Sequence, residues 1–199
     1  MLPIREAIRR IRTAIHDEEQ RINYSDAEIL NAINLGLRVI RRTIADVQPE
    51  MLMTTLTGTL AAGQDEIELP SRALLIIDVR TGKYKLNETN LQHVGGKLTG
   101  RPKCFYRTGL QSLRVYPPPR VATTFTIRFV EDINELRLED TTPLLNEFDD
   151  FLIEYAAYRL ALTEEFDMTQ EQQIIANIHQ QIANLLAPPP AGTVVHGYW

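Results

Sequence analysis

The chain has 199 residues, 44% hydrophobic and 24% charged, with a formal net charge of −5 and a single cysteine, Cys104. That is enough for one domain with a sizeable core, or one domain carrying an insertion. No apolar run approaches the ~20 residues of a membrane span. One cysteine excludes an internal disulfide and suits a reducing compartment, and the acidic balance argues against a general nucleic-acid binder, which is ordinarily basic.

The first predicted element is an amphipathic helix in which Ile4, Ile8, Ile11 and Ile15 recur at helical spacing beside Arg5, Arg9 and Arg12. Arginines interrupt this stretch throughout, so it does not read as a secretory signal. Ser25 and Glu28 form a capping-box pattern flanked by Tyr24 and Ile29 as a hydrophobic staple. A second helix follows, with Ile29, Ile33, Leu37, Ile40, Ile44 and Val47 as its stripe, and Pro49 closes it. The period then changes to two. Residues 51–130 carry strand signals, clearest where Phe125, Ile127 and Phe129 alternate with Thr124, Thr126 and Arg128. Turns are expected at Ala61–Gln64, at Thr81–Lys83 and at Gly109–Gln111. A short helical turn is expected before Gly95. The run Leu113-Arg114-Val115-Tyr116 ends in Pro117-Pro118-Pro119, which supply no N–H groups, so strand pairing should stop at Tyr116.

Helical spacing returns at Thr142-Pro143, read as an N-cap followed by proline at the first helical position. Leu145, Phe148, Leu152, Tyr155 and Leu162 mark the buried face of a helix over 143–163. Thr169 to Gln172 is a second capping-box candidate, opening a helix over 170–186 striped by Ile175, Ile178, Ile182 and Leu185. Pro188-Pro189-Pro190 ends it, and an apolar tail follows. The expected fold is α+β. Two N-terminal and two C-terminal helices (1–50 and 141–187) form an antiparallel bundle. An antiparallel β-sandwich or barrel-like module (51–131) is inserted, and 188–199 is an extended tail.

Charge is spread unevenly along this plan. Residues 1–43 carry +2, residues 44–130 carry +4, residues 131–171 carry −11 and residues 172–199 carry none. In a symmetric assembly such an asymmetry repeats in every copy and becomes a charged wall.

No pattern in the sequence supplies chemistry. The only serines are Ser25, Ser71 and Ser112, and none lies in G-x-S-x-G. Cys104 and His93 are a weak pair, and His16, His93, His179 and His196 have no metal-ligand spacing. The stretch from Gly95 to Pro102 departs from the phosphate-loop pattern, because Arg101-Pro102 follows Gly100, and it reads as a loop. Glu147, Asp149, Asp150 and Glu154 occupy the first turns of a predicted helix, where carboxylates complement the dipole. Arg5, Arg9 and Arg12 share a helical face suited either to DNA phosphates or to an acidic protein surface.

The order of pieces has a likeness. Thr57-Gly58-Thr59 leads to Leu69-Pro70, then LLIIDVRTG, then Gly100 to Tyr106, then LRVYPPP, TIRFVED and the run 141–167. Over roughly residues 25–167 this resembles the head-to-tail adaptor (connector, or head-completion) proteins of tailed phages. The resemblance implies a non-enzymatic virion protein with no cofactor or metal, assembled in the host cytoplasm and located at the capsid–tail junction. It further implies a homo-oligomeric ring of about twelve copies, bound to the portal protein above and to a tail nozzle or tail tube protein below, through which DNA passes. On this reading Arg38, Arg41 and Arg42 meet acidic patches of the next copy. Glu147, Asp149, Asp150 and Glu154 are candidates for the channel wall. Val194, Val195, Tyr198 and Trp199 dock the tail on the portal or an adjacent subunit. The residues alone leave open a DNA-binding or genome-packaging accessory module led by the arginine helix, and, far behind, a hydrolase.

Overall fold

The computed structural model describes residues 1–17, 23–90, 99–144, 146–162 and 168–187. They form two compact units: one from Met1–Gln48 together with the segment from Glu135 onward, the other from Pro49–Asn134.

The first unit is helical, with α1 (Ile4–Ala14), α2 (Asp26–Val47), α3 (Asp149–Ala161) and α4 (Met168–Leu186). α2 packs on α1, α3 and α4, and α3 packs on α1 and α4. Helical spacing dictates the buried faces: Ile4, Ile8 and Ile11 from α1, Ile29, Ile33, Leu37, Ile40 and Ile44 from α2, Leu152 and Tyr155 from α3, Ile178 and Ile182 from α4. The stripes stop short at their ends. Ile15 lies just beyond α1 and is half-buried, while Val47 and Leu185 are exposed. The capping box of α2 is complete: the Glu28 N–H donates to Ser25 Oγ at 3.2 Å, and the Ser25 N–H donates to the Glu28 carboxylate at 2.7 Å. Where α2 crosses α3, a Cβ on Gly36 would lie 2.6 Å from the Tyr155 ring and 3.0 Å from Leu152, so glycine sets this close approach.

Two helix starts differ from expectation. α3 begins at Asp149, after a 3-10 turn at Asn146–Phe148, and not at Pro143. Thr142 is fully buried and is not the N-cap of α3. Its hydroxyl accepts the Leu2 N–H at 2.9 Å and donates to Asp149 Oδ1 at 2.8 Å, with further main-chain bonds from Thr142 N–H to Leu2 C=O and from Ile4 N–H to Asp140 C=O. A tie between chain segments about 140 residues apart outweighed the local capping preference. α4 begins at Met168, which places Thr169 inside its first turn.

The second unit contains β1 (Met53–Leu60), β2 (Glu66–Glu68), β3 (Ala73–Thr81), β4 (Tyr84–Lys85), β5 (Asn87–Glu88), β6 (Cys104–Arg107), β7 (Ser112–Tyr116) and β8 (Thr123–Glu131). They make two four-stranded sheets, ordered β1-β8-β3-β4 and β2-β7-β6-β5. Every pair is antiparallel except β5 with β6, and the described strands do not close into a barrel. Residues from both sheets build one core, including Leu60, Val79, Phe105, Leu113, Val115, Ile127 and Phe129. Gly58 stands opposite Phe125, whose ring would meet an added Cβ at 2.5 Å, so the aromatic lies across the bare strand. β6 and β7 form the expected hairpin, and the ladder ends at Tyr116, before the cis peptide bond to Pro117. The prolines still accept: the Gly100 N–H donates to Pro118 C=O and the Gly63 N–H to Pro119 C=O, both at 2.8 Å. The helical turn expected before Gly95 falls on residues 91–98, outside the described residues.

Candidate functional site

In the helical unit, α3 turns Leu152, Tyr155 and Ala156 inward, so its 3.6-residue period turns Asp150, Ile153, Glu154, Ala157 and Tyr158 to the other side. There they line a groove of about 740 Å³ with His16, Asn23 and Tyr24. A second hollow of about 650 Å³, lined partly by α4, shares Glu154, Tyr158 and Ala161. The groove is therefore mixed, with an apolar floor, two carboxylates and an exposed tyrosine.

Its far wall is held by a buried ionic cluster at the end of α1. The His16 N–H donates to Thr13 C=O and the Asp17 N–H to Arg12 C=O, a double closure with His16 in the left-handed region at φ 57°. This places Asp17 back against Arg12. The Arg12 guanidinium donates to Asp17 Oδ2 at 2.5 Å, to Asp26 Oδ1 at 2.7 Å and to Tyr24 C=O at 3.0 Å, and the Arg12 side chain is only 7% exposed. The Tyr24 hydroxyl donates to Leu160 C=O at 2.8 Å, which pins the wall to α3.

The arginine row of α1 is not a free basic face. Arg12 is buried in that cluster, Arg5 pairs with Glu139 at 3.3 Å, and Arg9 and Arg10 both bind Glu6. Hydrogen bonds from Arg9 and then Arg10 hold the Glu6 carboxyl at about 2, well below the usual carboxylate range. The α2 arginines divide. Arg38 is exposed and meets Glu135 at 2.7 Å, Arg42 is exposed with no ion-pair partner among the described residues, and Arg41 is buried. Of the three, Arg38 and Arg42 are the ones exposed on the surface of the chain.

The four carboxylates also divide. Asp149 is buried and accepts a hydrogen bond from the Thr142 hydroxyl. Glu147 and Asp150 are exposed, Glu154 is half-buried in the groove, and none of the three has an ion-pair partner among the described residues. Tail residues Val194, Val195, Tyr198 and Trp199 lie outside the described residues, as do His93 and His196. Cys104 is half-buried, its thiol pushed up by burial and donating to Tyr116 C=O at 3.5 Å. Ser25 is engaged in its cap and Ser112 meets the Thr108 hydroxyl at 2.9 Å. Sequence reasoning missed Tyr158 and His16. The run 150, 154, 158 at steps of four, flanked by Ile153 and Ala157, is the signal that marks the groove face.

A helical unit discontinuous in sequence, with a separately cored two-sheet unit inserted in the chain, defines the class as α+β. The chain belongs to the SU10 adaptor protein family, whose model matches residues 3–194, a family of phage head–tail adaptors. The match takes in α1 and the tail through Val194, beyond the stretch 25–167 that carries the motif likeness. No curated protein matches the chain. It is a structural protein of the phage head–tail junction, and among the described residues no helix is long and apolar enough to cross a membrane.

Proposed function

We propose that the chain is one subunit of a closed homo-oligomeric ring of about twelve copies that joins the portal vertex of the capsid to the tail and surrounds the path of the DNA. The observation that carries this reading is the family match over nearly the whole chain. The portal protein is the partner on one side and a tail nozzle or tail tube protein on the other. The apolar tail with Val194, Val195, Tyr198 and Trp199 is the proposed strap to the portal or an adjacent subunit. Its support is composition: residues 172–199 are uncharged and include the chain's only tryptophan. Of the carboxylates considered for the channel, Glu147, Asp150 and Glu154 are exposed or partly so and able to face a partner. The geometry weakens a DNA-binding module built on α1, because Arg12 is buried, while Arg5, Arg9 and Arg10 are left in ion pairs at the surface.

The test is a reconstruction of portal-bearing capsids incubated with the purified protein, with and without residues 191–199. A closed ring below the portal, lost or weakened by the deletion, is expected. A lone monomer or a two-fold dimer at the junction rejects the ring, and unchanged attachment after deletion rejects the strap. Strongly salt-dependent DNA binding by the isolated protein would instead favour the DNA-binding module.

A further inference from the structure

Among the described residues of the helical unit, two surfaces carry charged side chains without an ion-pair partner, carboxylates on one and an arginine on the other. One is the α3 groove, where Asp150 and Glu154 have no ion-pair partner among the described residues and Tyr158 is 48% exposed. The other is the outer face of α2. There Leu35 is 36% exposed, Arg42 has no ion-pair partner among the described residues, and the Arg38 side chain is 52% exposed in its pair with a mostly exposed Glu135. An exposed pair of that kind is worth little and exchanges readily. We propose that these are the two halves of one contact: the α2 face of one copy, with Leu35, Arg38 and Arg42, seats in the α3 groove of the next copy, its guanidinium groups against Asp150 and Glu154. The inference rests on the ring reading and names the surfaces that would close it.

Helix geometry supports a head-to-tail contact. α2 and α3 meet where Gly36 faces Leu152 and Tyr155. At about 100° per residue, Arg38 lies about 200° and Arg42 about 240° around α2 from Gly36. On α3, Ala157 lies about 200° and Glu154 about 260° around from Tyr155. Both surfaces therefore point away from the α2–α3 seam and lie on different sides of the unit. A patch that fits a different patch of the next molecule propagates in one sense and forms a ring when the rotation closes.

Charge separates this occupant from the chain's own tail. Residues 172–199 carry no charge, so a tail laid in the groove would cover Asp150 and Glu154 without pairing them. A second copy brings two guanidinium groups, which bind carboxylates through directed N–H donors, and one leucine for the apolar floor.

Two experiments on the full chain test the contact, both read on portal-bearing capsids. In the first, Arg42→Glu and Glu154→Arg are made singly and together. Each single reversal is expected to cut incorporation at the junction about tenfold, and the double variant to recover most of it. Rising ionic strength should weaken incorporation of the native chain. Melting curves of the free variants report whether they fold. In the second, Arg42→Cys and Asp150→Cys are combined with Cys104→Ser, and mild oxidation is expected to give a ladder of covalent multimers. A ring that forms normally with both single reversals, or that forms with the cysteine pair and yields no ladder, overturns the contact and leaves the ring reading standing. A junction holding one copy or a two-fold dimer overturns both. If deletion of 191–199 exposes the α3 groove to hydrogen exchange while the reversals are silent, the tail is the occupant and the proposal fails.

Discussion

Arg12 shows how far a side chain's role depends on what folds around it. Its spacing from Arg5 and Arg9 suggests one basic row, yet it is a buried hub between Asp17, Asp26 and the Tyr24 carbonyl. Arg12→Met would leave the Asp17 carboxylate, 2% exposed, without its counter-ion. Breaking one partner of a buried pair costs about 3–5 kcal/mol, so thermal or urea melts should show a loss of that size. His16 lies beside it with φ 57°. His16→Gly relieves the left-handed strain and is expected to stabilise the chain by up to about 1 kcal/mol, part of it offset by greater freedom of the unfolded chain. Glu6 supplies a pH signature. Hydrogen bonds from Arg9 and then Arg10 hold its folded pKa at about 2, below the ordinary carboxylate value of 4.5. A depressed folded pKa contributes stability that is present above the unfolded value and lost as pH falls through the folded one. The native chain should therefore lose stability between about pH 4.5 and pH 2 more steeply than Glu6→Gln. Identical acid-melting profiles for the two would remove Glu6 as the source.

Between elements, the return segment from the β unit is the part with the least sequence signature. Asn34, buried on α2, clamps Leu136: its Nδ2 donates to the Leu136 C=O at 3.2 Å and its Oδ1 accepts the Leu136 N–H at 2.8 Å. Asn34→Ala would strip both main-chain groups of their partner, an expected loss of about 1–3 kcal/mol, read in an equilibrium melt. Asn34→Asp keeps the acceptor but sets a buried carboxylate oxygen against the Leu136 C=O, and should cost at least as much as Asn34→Ala. The helices and strands were legible because their apolar spacing is local: Ile29, Ile33, Leu37, Ile40 and Ile44 announce α2, and Ser25 with Glu28 announces its start. Asn34 and Thr142 were not, since each is defined by a partner more than a hundred residues away. Thr142 even misdirected, because a threonine before a proline looks like a cap in any context. The groove was half legible: Asp150, Glu154 and Tyr158 share one helical face by their spacing, but nothing in that spacing points to Tyr24 or His16 across from them.

At the scale of the molecule, the two units differ in how the chain builds them. The β unit is contiguous, Pro49–Asn134, and its core residues, from Leu60 to Phe129, all lie within that span. The helical unit is discontinuous: α2, from the first half of the chain, is the helix against which α3 and α4 pack. A contiguous segment that contains its own core can fold alone, whereas one half of a discontinuous core exposes the apolar face meant for the other half. A fragment of residues 49–134 is therefore expected to unfold cooperatively and to give dispersed amide resonances. Residues 1–48 alone should not, because Ile33, Leu37, Ile40 and Ile44 would lose the α3 and α4 residues that cover them. Mixing 1–48 with 135–199 should restore helical structure to both, at concentrations set by their affinity. Exposed Leu110 and Val121 belong to the β fragment already and give no reason for it to aggregate beyond what the full chain shows. The measurement is circular dichroism and amide NMR of the three fragments, separately and mixed. An unfolded 49–134, or a cooperative melt from 1–48 alone, would mean that the cores are not divided along the line the chain contacts draw.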